Sequence, residues 1–250
     1  MRTIAIANQK GGVAKTVTSA NLGACLAQMG HRVLLIDLDP QANLSLSVGA
    51  PLADPPAAYE LLTARKWNSD LVAATEWQGL SVVTSGVGVA AVEVQFAGAK
   101  DGRLRLRGRL SGVDAYDFAI IDTPPSLGFL TLNALSAADE VLIPVQCSFL
   151  AMHGLRQLLD TIDAVREHGN PNLRVCGLAL TMHDRRTRHS REVVGTVRGH
   201  FGDLVFDTLI PRTVAFDYST VDGAPLVYTE PDSAAARAYR NLAREVLKRA

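Results

Sequence analysis

The N-terminal order of elements constrains the fold more than any other part of the chain. A β-prone run from Thr3 to Ala7 stops at Asn8, and Lys10-Gly11-Gly12-Val13-Ala14-Lys15-Thr16 follows. From Lys15 to Met29, Ala20, Ala24 and Ala27 recur at helical spacing, so the order is strand, tight loop, helix. Glycines in such a loop let backbone N–H groups turn inward with no Cβ in the way. The helix start adds partial positive charge, and together they cradle a phosphate. In a loop of this kind Lys15 bridges the β- and γ-phosphates of a nucleotide and the Thr16 hydroxyl ligates magnesium. Gly30 closes the helix, and Val33 to Ile36 is the next buried strand, which makes a parallel βαβ unit.

Further apolar strands are expected at Leu80 to Thr84, Phe118 to Ile121, Val141 to Val145 and Val175 to Leu180, with helical stretches between most of them. This alternation predicts a mostly parallel twisted sheet with helices on both faces, and with the phosphate loop after the first strand the expected class is an α/β P-loop NTPase fold. A last helix from Ser233 to Lys248 places Ala235, Tyr239, Leu242 and Val246 on one stripe. The stretch from Gly86 to Gly112 is ambiguous. Arg103, Arg105, Arg107 and Arg109 alternate with leucines as in a strand, but Leu106, Leu110 and Val113 fit a helix, which the strand–helix order favours.

Two acidic clusters end predicted strands. Asp37 and Asp39 are two residues apart, on one side of an extended strand end, so both are expected to face the phosphates. Ile120-Ile121-Asp122-Thr123-Pro124-Pro125 is an apolar strand closed by an acid, which makes Asp122 the expected outer-shell magnesium partner and Thr123 to Pro125 a γ-phosphate sensor.

The 250 residues, 48% of them hydrophobic, suffice for one substantial core, and no Pro/Gly/Ser-rich linker divides them, so a single domain over 1–250 is expected. The 25 basic and 25 acidic side chains cancel, which excludes a uniformly basic coat but not a local patch. Cys25, Cys147 and Cys176 are odd in number and far apart, so neither a disulfide framework nor a local metal-ligand motif is indicated. No apolar run is long enough for a bilayer or a signal peptide, and a cytoplasmic, non-membrane protein is expected.

The loop departs from G-x-x-x-x-G-K-[ST], because Gln9 and Ala14 stand at its glycine positions; it fits K-G-G-x-x-K-[ST] instead. It thereby resembles the deviant Walker family that includes ParA, MinD and the nitrogenase iron protein. Ala137 to Gln146, Thr181 to Thr187 and Ile210-Pro211-Arg212 extend the likeness to the ParA/Soj branch over nearly the whole chain. The resemblance implies ATP and Mg2+ as cofactors, hydrolysis to ADP and phosphate, and a homodimer in which Lys10 reaches the ATP of the partner subunit. It implies nucleotide contacts from Lys10 to Val17 (Lys10, Gly11, Gly12, Val13, Ala14, Lys15, Thr16, Val17) and catalytic roles for Lys10 and Asp39, the latter orienting the attacking water. Asp37 would support the metal through its water shell, and Met182, Pro211 and Arg212 would lie beside the adenine. Ala14, where glycine is usual, and Val17, where threonine is usual, both point to weaker binding or slower turnover.

Arg185, Arg186, Arg188, Arg191 and Arg198 lie before and along the helix after the sixth predicted strand. The first four are the expected contacts to non-specific double-stranded DNA, a salt-sensitive mode without base readout. Where the branch tends to carry an arginine just beyond the valine of its proline-arginine loop, this chain has Val214-Ala215-Phe216-Asp217, which would shift the DNA surface towards Arg103 to Arg109. No helix-turn-helix domain precedes the first strand, so specificity would come from a ParB-like partner that stimulates hydrolysis. Segregation of a chromosome or plasmid on the nucleoid is the function implied. The alternatives are a MinD-like membrane-positioning ATPase, an iron-sulfur reductase, and a module that uses ATP only as a dimer clamp.

Overall fold

All six strands expected from the apolar runs form, and they join one sheet. The computed structural model describes residues 1–96, 98–147 and 151–249. The strands are β1 (Arg2–Ile6), β2 (Val33–Asp37), β3 (Ala73–Ala74), β4 (Leu80–Val83), β5 (Phe118–Asp122), β6 (Glu140–Gln146), β7 (Arg174–His183) and β8 (Val205–Pro211). Their order in the sheet is β3-β4-β2-β5-β1-β6-β7-β8; β3 is antiparallel to β4 and every other pairing is parallel.

The helices are α1 (Lys15–Gln28), α2 (Asn43–Ser47), α3 (Ala57–Thr63), α4 (Ala90–Phe96), α5 (Arg105–Leu110), α6 (Phe129–Ala137), α7 (Ala151–His168), α8 (Arg188–Phe201), α9 (Ala215–Val221), α10 (Leu226–Thr229) and α11 (Ala234–Lys248). Strand alternation divides the core into two layers. Ala5, Leu34, Ile36, Ala119, Ile121, Val141 and Ile143 face α3 and α5 to α8, whereas Ile4, Ile6, Val33, Leu35, Ile120 and Leu142 face α1, α10 and α11. Strands buried on both faces are the reason that the sequence reads as continuous apolar runs.

The stripe expected on α11 is wholly committed to this core: Tyr239, Leu242 and Val246 have no exposed surface, each burial contributing about 1.5–3 kcal/mol. The Tyr239 hydroxyl lies 3.1 Å from Thr18 Oγ1, joining α11 to α1. Gly30 takes the left-handed conformation (φ 90°) that ends α1, as its position implied. The stretch with alternating arginines is helical, a 3₁₀ turn followed by α5. Arg105 stacks on the Phe96 ring at 3.8 Å and donates to the Leu62 and Thr63 carbonyls, and Arg107 donates to the Gly169 carbonyl. These two side chains are structural ties, so the run is not a uniform phosphate-binding stripe.

Candidate nucleotide site

β5 lies between β1 and β2, and the register brings Ile6 and Asp37 level with Asp122 on either side. The loop after β1 and both acidic strand ends therefore meet at the carboxyl edge of the sheet. A cavity of about 860 Å³ opens there. Its wall includes Gly11, Gly12, Ala14, Lys15, Thr16, Val17 and Asp39, with Met182, Pro211 and Arg212 across from them.

The loop is built to receive an anion. Gly12 and Ala14 both take left-handed backbone conformations (φ 69° and 67°), and α1 starts at Ala14 without a side-chain cap. Among the described residues the amides of Gly11, Gly12 and Ala14 have no hydrogen-bond partner. A helix start with uncapped amides beside an open cavity has the donor set that phosphate oxygens require. The Lys15 ammonium is buried beside it, 3.2 Å from the Lys10 carbonyl. Burial pulls its pKa down, while Asp122 and Asp39 pull it up.

Thr16 Oγ1 donates to Asp122 Oδ2 over 2.7 Å and Ser19 Oγ donates to Oδ1 over 2.8 Å. Burial pushes the Asp122 carboxyl up to about 6 despite those two donors and Lys15. A hydroxyl backed by a buried carboxylate suits a hydrated divalent cation, and Thr16 and Asp122 are the residues that fit one.

Asp37 does not occupy the place the alternation argument gave it. It is fully buried, absent from the cavity wall, and its oxygens accept from the Asp39 amide (3.0 Å) and from the Ser45 amide and hydroxyl (2.9 and 2.7 Å). β2 ends at Asp37 and the chain turns there, so strand alternation no longer governs Asp39, and only Asp39 reaches the wall. Val13 likewise turns its side chain into the core, where only its carbonyl remains engaged, by the Thr181 hydroxyl at 3.1 Å.

Lys10 is beside the cavity: its ammonium donates to Gln146 Oε1, a wall residue, at 2.9 Å. Gln41, Asn43, Pro125, Gln146 and Phe216 also line the space. Glutamine and asparagine at strand and helix ends carry no periodic signal of their own, so their placement emerges only from the fold.

The four arginines expected to meet DNA are exposed, Arg185 and Arg186 in the turn after β7 and Arg188 and Arg191 on the first turn of α8. Arg188 is paired with Glu192 at 2.6 Å, and Arg198 donates to the Asp207 carbonyl. Cys25 on α1, Cys147 just after β6 and Cys176 on β7 are buried, and burial raises their thiol pKa values, to about 12 for Cys25 and Cys176. Among the described residues no group of three or more His, Cys, Asp or Glu forms a metal cluster, and no helix is long and apolar enough to cross a membrane.

A parallel sheet with this loop, lysine and hydroxyl–carboxylate pair defines a P-loop nucleotide-binding protein. A family model described as an AAA domain matches residues 1–175. The sporulation initiation inhibitor protein Soj of Bacillus subtilis is 43% identical over 98% of both chains, and the chromosome partitioning protein ParA of Caulobacter vibrioides is 43% identical over all of this chain and 95% of its own. A solved structure called cobyrinic acid a,c-diamide synthase, from Mycobacterium smegmatis with a bound ATP analogue and magnesium, superposes with a TM-score of 0.86 at 37% identity, covering 99% of this chain and 95% of that one. The chain belongs to the ParA/Soj family of chromosome-partitioning P-loop ATPases.

Proposed function

We propose that this chain is a partition ATPase of the cytoplasm and nucleoid: two copies close on each other around bound Mg2+–ATP, the dimer holds double-stranded DNA without sequence preference, and hydrolysis, stimulated by a ParB-like partner, releases it. One observation carries the reading: two lysines of one loop, Lys10 and Lys15, stand beside a cavity whose uncapped amides and Thr16–Asp122 pair suit a magnesium nucleotide.

Within one subunit, the loop amides and the Lys15 ammonium bind and orient phosphate oxygens. Thr16 and Asp122 hold the metal, which when bound supplies positive charge at the phosphates. Asp39, a carboxylate on the wall beside the loop, accepts a hydrogen bond from the attacking water and orients it. Lys10 exchanges Gln146 for the phosphates of the neighbouring subunit, so closure and charge neutralisation occur together. Met182, Pro211 and Arg212 border the adenine, and Arg185, Arg186 and Arg191 meet DNA phosphates, Arg188 contributing once it leaves Glu192.

The test is DNA binding by wild type and Lys10→Ala with ATP, ADP and no nucleotide. ATP-dependent binding that Lys10→Ala abolishes is expected; binding indifferent to nucleotide and to Lys10 would overturn the reading. A second reading follows the name of the mycobacterial structure, namely ATP-driven amidation of the a and c carboxylates of cobyrinic acid with nitrogen from ammonia or an amide donor. It requires turnover that depends on the corrinoid and ignores DNA.

A further inference from the structure

We infer that Asp37 and Ser45 are positioning residues that hold Asp39 at the cavity wall, an inference that rests on the ATP-hydrolysing reading above. Among the described residues, Asp39 is the only carboxylate on that wall besides Asp217 of α9, and the turn that carries it has few supports of its own. Its Oδ1 accepts the Gln41 amide at 3.0 Å and its carbonyl accepts the Ala42 amide at 2.9 Å, both bonds within the turn. The ties to the rest of the molecule come from neighbours. The Leu38 amide donates to the Asp122 carbonyl at 3.1 Å, and the Asp39 amide donates to Asp37 Oδ1 at 3.0 Å.

The other oxygen of Asp37 fixes the far side of the same turn. Oδ2 accepts both the amide and the hydroxyl of Ser45 on α2, at 2.9 and 2.7 Å. Ala42, the residue before α2, has no side-chain cap to offer, and Asp37 supplies that cap from outside the helix. Ser45 Oγ in turn accepts the Ser85 amide at 3.0 Å, linking the assembly to the chain beyond β4. Asp37, Ser45 and Ser85 are all fully buried.

One carboxylate thus clamps both ends of the turn that presents Asp39. Ala42 in that turn is left-handed (φ 56°), a conformation that disfavours a residue with a Cβ and persists only where surrounding bonds impose it. Asp37 acts on the reaction through geometry. It touches the Asp39 backbone and never the cavity.

Phosphate release from Mg2+–ATP, with double-stranded DNA present throughout, tests this on folded Ser45→Ala and Asp37→Asn proteins. Ser45→Ala removes one donor to Asp37 and the acceptor of the Ser85 amide while leaving the Ser45 amide in place, which makes it the milder change. The expected result is a kcat lowered roughly ten- to hundredfold in both variants, with KM for ATP and the Mg2+ half-saturation within about twofold of wild type. Asp37→Asn gives the same pattern, because an amide cannot accept at both ends. A wild-type kcat in Ser45→Ala overturns the inference, as does a raised Mg2+ requirement in Asp37→Asn, which would make Asp37 a metal residue. If Asp37→Asn does not fold, Ser45→Ala decides alone. Wild type that releases no phosphate would overturn the ATPase reading itself, whereas wild-type turnover with an unaffected Ser45→Ala would overturn only the positioning role.

Discussion

Thr16 Oγ1 and Asp122 Oδ2 are 2.7 Å apart, so the first turn of α1, which lines the cavity, and the end of β5 share one hydrogen bond. Asp122→Asn keeps the shape but turns an NH2 towards either Thr16 or Ser19, both of which now donate. ATP affinity in magnesium is expected to fall at least about tenfold, as for other residues that support a metal from the second layer. Affinity in EDTA should change by less than about twofold. Calorimetric titration in the two buffers separates the cases, and equal losses in both would make Asp122 a structural acid.

Lys15 is a buried cation whose desolvation opposes folding, and in the proposed site phosphate contacts would repay that cost only when nucleotide is present. Lys15→Met is therefore expected to weaken ATP binding by roughly a hundredfold, equivalent to about 3 kcal/mol of charged hydrogen bonds. The melting temperature of the nucleotide-free protein should stay level or rise. A nucleotide-free protein that loses stability would place the lysine in the scaffold instead.

Asp37 and Asp122 are adjacent across β2 and β5, and burial, with mutual repulsion at Asp37, pushes their carboxyls up to about 7 and about 6. Between the ordinary carboxylate range and those values the folded protein holds more protons than the unfolded chain. Stability of the nucleotide-free protein consequently falls as pH rises from about 4 to 7, by at most about 1.4 kcal/mol per pH unit for each group, the two titrating as a pair. His183, held down by burial and then Arg185, works in the opposite direction as its proton leaves. Urea unfolding in EDTA at pH 5 and 7.5 isolates the carboxyls as the difference between wild type and Asp37→Asn. A pH slope unchanged in the variant would contradict the assignment.

Ala14 keeps the left-handed conformation of a glycine despite its methyl group. Ala14→Gly should raise stability by about 0.5–1 kcal/mol, the strain relieved exceeding the chain entropy that glycine adds. Tighter nucleotide binding should accompany it, since Ala14 lies on the cavity wall. Thermal melting and titration check both, and a less stable variant would show that the loop has adapted to alanine.

Much of this architecture is legible in the sequence because central strands of a parallel sheet are apolar on both faces. β1, β2 and β4 to β7 announce themselves in that way, and the loop between β1 and α1 fixes where phosphate would sit. β8 is not legible from periodicity: it is an edge strand carrying Asp207 and Thr208, and only Val205, Phe206 and Ile210 of it are fully buried. The two-residue antiparallel β3 is too short to leave a pattern. In the candidate site, spacing singles out residues but not where each one sits. Asp37 and Asp39 look equivalent until the chain turns after β2, and Ser19, Ser45 and Gln146 join the candidate site only through contacts more than 8 residues away or, for Ser45, through the one turn that brings it back to Asp37.

The proposed reading turns on nucleotide-dependent pairing of two copies through Lys10. Sedimentation velocity of wild type and Lys10→Ala, each with Mg2+ and a slowly hydrolysed ATP analogue or with ADP, reads it without reference to DNA or partner. Wild type should double in mass with the analogue only, and Lys10→Ala should remain single in both. A wild type that ignores the nucleotide, or a Lys10→Ala protein that dimerises as wild type does, would contradict it.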